Sequence, residues 1–261
     1  MYARKFMEVR GESLKSPVAI IALPGIANVG KIAIETLSQI AEHLMDLFSK
    51  DFPPRVLVSQ GIATIPKTTI HLYRAAPDEP HDLLLLTADF QPSTSTGVYD
   101  YADFVAKEFE KLGVTILYSL AAYEQDYEAY FKSYPNDPRI YVSANSEKLL
   151  ALISDSPHTV VTEDGAIVGA NGVIPAWAAS MYNMDSACIL GETLGVINSD
   201  YRAAKAILRK IVDLVGISVD LEIMTPHINK VIEFIEWARK EITRKSELDG
   251  DDENPSDMYI G

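Results

Sequence analysis

The pattern in this chain that could carry chemistry is a glycine turn near the N-terminus. Gly25-Ile-Ala-Asn-Val-Gly-Lys31 matches the spacing G-x-x-x-x-G-K. It follows a buried apolar run and precedes a helical pattern, which is the context in which a P-loop holds phosphate. A P-loop continues with Ser or Thr to bind Mg²⁺, but Ile32 stands here, and an aliphatic side chain cannot bind a hard cation. A nucleotide- or small-molecule-binding enzyme using Gly25–Lys31 is therefore an alternative and not the favoured interpretation.

The favoured interpretation of this turn is structural. Gly25 and Gly30 allow a tight connection from strand to helix, and Asn28 is expected to cap the helix. A third interpretation, the binding of an anion or a partner protein at the turn, stays open.

A small-molecule pocket is a second candidate site, at the same edge of the predicted sheet. Asp89, Gln91 and Glu192 follow predicted strands that end at the edge where the glycine turn lies. Ligands of open α/β sheets gather at that edge. Local hydrogen bonding within loops is the alternative for these side chains. The candidate pocket and turn residues are Gly25, Asn28, Gly30, Asp89, Gln91 and Glu192.

Other classes of function find little support in the composition. The formal net charge of −14 argues against nucleic acid and against an anionic membrane surface as partners. The one cysteine, Cys188, lies in an apolar run and is expected to be a buried core residue in a reducing compartment. The five histidines have no metal-ligand spacing, so we expect no metal site. We also expect no cofactor. The lone cysteine fits a cytoplasmic protein.

The spacing of the apolar residues predicts an α/β fold. Short buried strands alternate with helices, which favours a largely parallel sheet covered on both faces. The helical pattern after Gly30 runs through Leu37, Ile40 and Leu44. Strands are predicted at 17–23, 55–60, 68–73, 82–87, 114–120, 139–142, 159–161 and 187–190. Further helices are predicted at 98–112, 147–153 and 200–216, after Gly172 to near Met181, and from 226 to about 245.

The chain is predicted to have three parts. Residues 1–220 form an α/β/α core, and 221–246 form a C-terminal helix that packs on the core or in an oligomer interface. Residues 247–261 are crowded with acidic side chains and lack apolar periodicity, so we expect a flexible tail. This tail ends in a hydrophobic patch formed by Met258, Tyr259 and Ile260.

Five short stretches, taken in order, resemble the proteasome assembly chaperone 2 family and its archaeal homologues. They are Leu23–Gly30, Asp89–Pro92, Gly169–Gly172, Gly191–Thr193 and Asp200–Ala204. Each stretch alone is short, and the ordered set carries the resemblance. It implies a phosphorylase/hydrolase-like, three-layer α/β/α core with a mixed, mostly parallel sheet. It also implies a homo-oligomer or pairing with a related subunit, and no demonstrated catalysis.

The resemblance further implies a role for the tail. Some relatives carry a C-terminal hydrophobic–Tyr–any tripeptide that inserts between α subunits of the proteasome core particle. Met258 and Tyr259 supply the hydrophobic–Tyr pair here, but Ile260-Gly261 adds one residue to that pattern.

The expected function is that of a non-enzymatic, chaperone-like or scaffold protein. Its candidate partners are further copies of itself, proteasome α subunits, the core particle and a related family subunit. The expected contact surfaces are the exposed side of the C-terminal helices, the Tyr-rich segment 123–134 and the tail.

Overall fold

Eleven strands and seven helices make up the part of the chain that the structure describes. This computed structural model describes residues 1–250, although the side chains of 242, 243 and 245–250 are not described. The strands are β1 (Tyr2–Lys5), β2 (Val18–Ala22), β3 (Glu42–Phe48), β4 (Leu57–Ser59), β5 (Ile62–Thr64), β6 (Thr68–Tyr73), β7 (Leu83–Ala88), β8 (Ile116–Glu124), β9 (Ile140–Ala144), β10 (Thr159–Val161) and β11 (Asp185–Thr193). The helices are α1 (Val29–Ser38), α2 (Ser95–Lys111), α3 (Tyr127–Ser133), α4 (Glu147–Ser154), α5 (Ala170–Tyr182), α6 (Tyr201–Val215) and α7 (Thr225–Gly250).

Nine of these strands form one mixed sheet in the order β1-β3-β6-β7-β2-β8-β11-β9-β10. The central strands β7, β2, β8 and β11 are mutually parallel, and antiparallel pairs flank them at β6–β7 and β9–β11. Helices α2 and α5 pack on one face, and α1, α4, α6 and α7 pack on the other. The predicted three-layer α/β/α fold with a C-terminal helix is thus confirmed.

Strand β2 shows why the centre of the sheet is apolar throughout. All five of its residues are buried, because helices cover both faces of the sheet here. Val18 and Ile20 pack on the side of α1 and α6, while Ala19 and Ile21 pack on the side of α2 and α5. Burying one such isoleucine stabilises the fold by about 1.5–3 kcal/mol.

Two predicted elements differ from the structure. Helix α1 ends at Ser38, so the predicted helical pattern through Leu44 is wrong. Residues Glu42–Phe48 instead form β3, which pairs with β6 on one side and β1 on the other. The hydroxyls of Thr36 and Ser38 donate to carbonyl oxygens four residues back, a bonding pattern that weakens a helix near its end.

The predicted strand at residues 55–60 does not join the main sheet. It supplies β4, which pairs only with β5 in a separate two-stranded hairpin. Gln60 and Gly61 form the two-residue turn, with φ of 49° and 81°. Positive φ at both positions matches the turn that suits the twist of two short antiparallel strands.

The C-terminal helices follow the predicted start and stop signals. Asp200 caps α6 by accepting hydrogen bonds from the backbone N–H groups of Arg202 and Ala203, and Gly216 ends the helix with a φ of 67°. The division into a core, a C-terminal helix and a tail stays a prediction, and Met258–Ile260 lie outside the described residues. Within residues 1–250, no helix has the length and apolar character needed to cross a bilayer.

Candidate functional site

The glycine turn joins β2 to α1 through unusual backbone angles. Ala27 and Asn28 each have a φ of 50°, in the left-handed region that residues other than glycine seldom adopt. Asn28 immediately precedes α1, but its side chain makes no capping hydrogen bond. Its Nδ2 donates instead to the carbonyl oxygen of Asn198 at 3.2 Å. The predicted cap is therefore wrong, because a capping side chain requires extended backbone and Asn28 is left-handed.

Gly30 lies where α1 packs directly on the backbone of β8. A Cβ at this position would overlap the carbonyl group of Leu120, so only glycine permits this approach. The next residue, Lys31, points its Nζ to Glu35 Oε1 at 3.7 Å on the same helix. Gly30 thus serves the packing of helix on strand, and Lys31 is paired within its own helix.

A cleft of about 840 Å³ opens beside this turn. Its floor is the face of β8, β11 and β9 next to α5, and residues 162–168 form one wall. Of the predicted pocket residues, Gly25 and Gln91 line the cleft. The other four, Asn28, Gly30, Asp89 and Glu192, are not among its lining residues.

Two side-chain amides hold the end of β2 beside the start of α5. Gln91 Nε2 donates to the carbonyl oxygen of Pro24 at 2.7 Å, and its Oε1 accepts from the N–H of Ala170 at 2.8 Å. Asn171, which is buried, accepts from the N–H of Leu23 at 2.8 Å and donates to its carbonyl oxygen at 3.0 Å. Asn171 thereby replaces the strand partner that Leu23 lacks beyond the end of β2.

The charges around the cleft are negative. Its ionisable lining carboxylates are Glu124, Glu163 and Asp164, and none of the described lining residues is Lys, Arg or His. This charge disfavours phosphate-bearing ligands, which proteins bind with cationic side chains and helix N-termini. Cys188 also lines the cleft, but burial raises the pKa of its thiol to about 12, so the reactive thiolate is suppressed at neutral pH.

Glu192 is buried and belongs to a separate ion pair with the half-buried Arg139. Its Oε1 accepts from Arg139 Nε at 3.0 Å and from Arg139 Nη2 at 2.6 Å, and its Oε2 accepts from the Arg139 backbone N–H at 3.1 Å. The hydrogen bonds that Arg139 donates to the Glu192 carboxylate raise the pKa of Arg139 further above its usual range. Asp89 is also engaged locally, since its Oδ2 accepts from the backbone N–H of Lys67 at 2.9 Å. Both carboxylates order loops at strand ends.

Asp200 completes the polar contacts around the turn. Its buried Oδ2 accepts from Thr193 Oγ1 at 2.7 Å, and its backbone N–H donates to the carbonyl oxygen of Ala27 at 2.9 Å. Burial raises the pKa of this carboxyl, against hydrogen bonds from Thr193, Ala203 and Arg202 that lower it. Asp200 therefore joins the ends of β11 and α6 to the glycine turn.

The short stretches singled out in the sequence thus meet at the connection between β2 and α1. Asn171 and Asp200, which hold that connection, were not among the predicted site residues. Asn171 lies in the stretch Gly169–Gly172, so the sequence contained a signal for it. Its partner Leu23 is 148 positions away, a separation that only the fold can bring together.

The expected contact surfaces are only partly exposed. Trp237 of α7 is 59% exposed and supports an outward-facing apolar surface on the C-terminal helix. In the Tyr-rich segment, Tyr127 is exposed, but Tyr130 and Tyr134 are buried in the core against the helices. The expectation of an aromatic contact surface there is therefore wrong for Tyr130 and Tyr134.

A known protein family matches most of this chain. Residues 19–235 match the sequence pattern of the family described as "PAC2 family". The chain belongs to the PAC2 family. An uncharacterized protein of Methanocaldococcus jannaschii is 29% identical to this PAC2 chain over 231 residues, covering 88% of this chain and 85% of that protein.

Solved structures show the same PAC2 architecture. Pyrococcus furiosus PbaB, described as an archaeal proteasome activator, aligns with a TM-score of 0.81 at 24% identity, over 91% of this chain and 98% of that one. Pyrococcus furiosus PbaA, described as an archaeal homolog of proteasome-assembly chaperone, aligns with a TM-score of 0.67 at 21% identity, over 94% and 98%. At these identities the likeness shows the fold that the PAC2 chain shares with both proteins.

Proposed function

We propose that this PAC2 protein is a non-enzymatic, chaperone-like binding protein of the proteasome that acts in the cytoplasm as a homo-oligomer. This proposal rests on the observation that the polar residues of the motifs make hydrogen bonds within the fold. Gln91, Asn171 and Asp200 are all bonded to backbone around the β2–α1 connection, so they build the fold. The exposed surface instead offers apolar side chains such as Trp237, which suit protein binding.

The relatives support the proteasome as the partner. Of the two Pyrococcus furiosus proteins with this fold, one is described as a proteasome activator and the other as a homolog of proteasome-assembly chaperone. We extend that connection to this chain, with α subunits, the intact core particle or a related family subunit as the proteins bound.

The tail is part of this proposal. Met258, Tyr259 and Ile260 would supply a short anchor on the proteasome, placed after helix α7, which ends at Gly250.

The alternative function, a nucleotide-binding enzyme at Gly25–Lys31, has weaker support. Lys31 is paired with Glu35, Gly30 packs on the Leu120 carbonyl, and the adjoining cleft carries carboxylates. Melting the purified protein with millimolar MgATP tests this alternative, since a bound ligand raises the melting temperature. We expect no shift, and a shift that Lys31→Ala removes would favour the enzyme.

Co-migration with purified proteasome core particles and with isolated α subunits tests the proposed function. The samples are the full-length chain, a chain ending at Gly250 so that α7 stays intact, Tyr259→Ala, and the matched tail control Ser256→Ala. We expect the full-length chain and Ser256→Ala to co-migrate, and the shortened chain and Tyr259→Ala to lose binding.

The other outcomes are equally informative. Binding that survives in the chain ending at Gly250 would move the contact to the folded part and refute the anchor. A full-length chain that co-migrates with neither core particles nor α subunits would contradict the proteasome role itself.

A further inference from the structure

The hairpin β4–β5 exposes one wholly apolar face. In its register Val58 lies opposite Ala63. Continuing the same alternation one residue beyond the paired strands, toward the base of the hairpin, puts Val56 and Ile65 on the same side. All four are exposed, with Val56 at 60%, Val58 at 69% and Ile65 at 58%. We call these four residues the hairpin face. The opposite side carries Leu57, Ser59, Ile62 and Thr64.

The rest of the chain anchors the hairpin only at its base. Phe52 is buried beside Tyr101, with ring centroids 5.8 Å apart, and the Arg55 guanidinium lies 5.0 Å from the Phe90 ring centroid. Beyond this base every residue from 58 to 65 is exposed. Because a two-stranded hairpin alone is marginally stable in water, a partner that covers the hairpin face would stabilise it.

The charge pattern indicates what kind of partner covers this face. Val56–Pro66 contains no Asp, Glu, Lys or Arg, although 23% of the whole chain is charged and the net charge is −14. Two copies of such an acidic chain repel each other over most of their surface. A second copy can therefore approach most closely where the surface is neutral and apolar, as it is at the hairpin face.

The hairpin face supplies part of the area of a self-interface. Val56, Val58 and Ile65 each expose on the order of 100 Å² of apolar surface, so the hairpin face offers somewhat more than a third of the roughly 800 Å² that one partner contributes to a standard interface. Arg55 contacts Phe90, and the next residue, Gln91, bonds to the glycine turn. Ile26 of that turn is exposed. Neighbouring surface at this end of the sheet can supply the remaining area.

We propose that the hairpin face binds the same face of a second copy of this chain across a twofold axis. This inference rests on the proposed function, which includes a homo-oligomer, and it names the surface through which the copies would bind each other. An apolar face without charges is self-complementary, which a twofold interface requires.

Sedimentation velocity over a range of concentrations tests the assignment. The samples are the wild-type chain, Val58→Asp, and the matched control Thr64→Asp, which places the same charge on the opposite side of the same hairpin. We expect Val58→Asp to weaken self-association by about 100-fold or more, because a buried carboxylate without a partner is costly, and Thr64→Asp to change it by less than about 5-fold. Unchanged melting of both variants at low concentration would show that the fold is intact.

Cross-linking gives a second readout that does not depend on a destabilising charge. Because Cys188 is buried with a raised pKa, Val58→Cys introduces the one readily reactive thiol among the described residues. We expect a short bismaleimide to link two Val58→Cys chains, and to link Thr64→Cys chains far less.

The contrary outcomes separate the two levels of the proposal. Self-association that survives Val58→Asp, without Val58→Cys cross-links, would overturn the hairpin assignment and leave the homo-oligomer standing. A wild-type chain that is monomeric at every concentration would overturn both. If instead the wild-type chain is monomeric and binds core particles, and Val58→Asp abolishes that binding, the hairpin face binds a proteasome subunit and self-pairing is wrong.

Discussion

The glycine turn and the β4–β5 hairpin lie at the same end of the sheet, yet the side chains of the turn bond within the fold and those of the hairpin face solvent. Around the turn, Gln91, Asn171 and Asp200 are polar, and each is bonded to neighbouring backbone. The hairpin has no comparable polar motif, and its apolar side chains face solvent. A recognisable motif can therefore serve the fold entirely, while a segment without a motif can offer the surface for partners.

Gly30→Ala should have the largest effect on the turn. Alanine normally stabilises a helix interior relative to glycine, but here its Cβ would overlap the Leu120 carbonyl group. We expect a loss of about 3 kcal/mol or more in the free energy of unfolding, measured by urea denaturation of the monomer. The matched variant Gly61→Ala has open space but a φ of 81°, so it should cost about 1 kcal/mol. Equal effects at both glycines would remove the packing argument for Gly30.

Asn171→Ala should rank second. It would leave the buried N–H and carbonyl oxygen of Leu23 without their partners, so we expect a loss of about 2–3 kcal/mol in the free energy of unfolding. Asn136→Ala removes an exposed amide and should change stability by less than about 0.5 kcal/mol. A loss below 1 kcal/mol for Asn171→Ala would mean that water readily replaces the amide.

Lys31→Ala should have a small effect. It removes a partly exposed pair within α1, which is worth about 0.3–0.5 kcal/mol. Urea denaturation measures this change. A loss above 1.5 kcal/mol would show that Lys31 has a partner beyond Glu35.

Val58→Asp should have the smallest effect on the folded monomer. The side chain is exposed and lies outside the core, so the free energy of unfolding at low concentration should change by less than about 0.5 kcal/mol. A large loss in the monomer would place Val58 within the chain's own fold and would break the contrast with the turn.

The sequence predicted the centre of the fold well, because burial on both faces produces continuous apolar runs such as Val18–Ala22. It failed where sheet pairing overrides a local pattern. Leu44 fits the helical spacing after Gly30, but β3 pairs with β6 over those residues. Strand β1 was missed because Tyr2–Lys5 is an exposed edge with no apolar run.

Of the candidate site residues, the sequence correctly brought Gln91 to the Gly25 turn, but it did not predict their contacts. Gln91 does lie beside the Gly25 turn, since the ends of neighbouring parallel strands meet at one edge. Glu192 is at a strand end too, but its partner Arg139 is 53 positions away, and nothing in the local sequence connects the two. Such long-range pairs depend on the register of the sheet, which a single sequence does not specify.

Hydrogen exchange at low and high protein concentration would test the contrast between the two regions most directly. We expect amides of residues 56–65 to exchange more slowly at high concentration, where a second copy covers the hairpin face. Amides around Leu23–Gly30 should exchange equally slowly at both concentrations, because the fold alone protects them. An oligomer whose hairpin amides exchange as fast as those of the monomer, while the turn gains protection, would show that the hairpin face is not the contact surface.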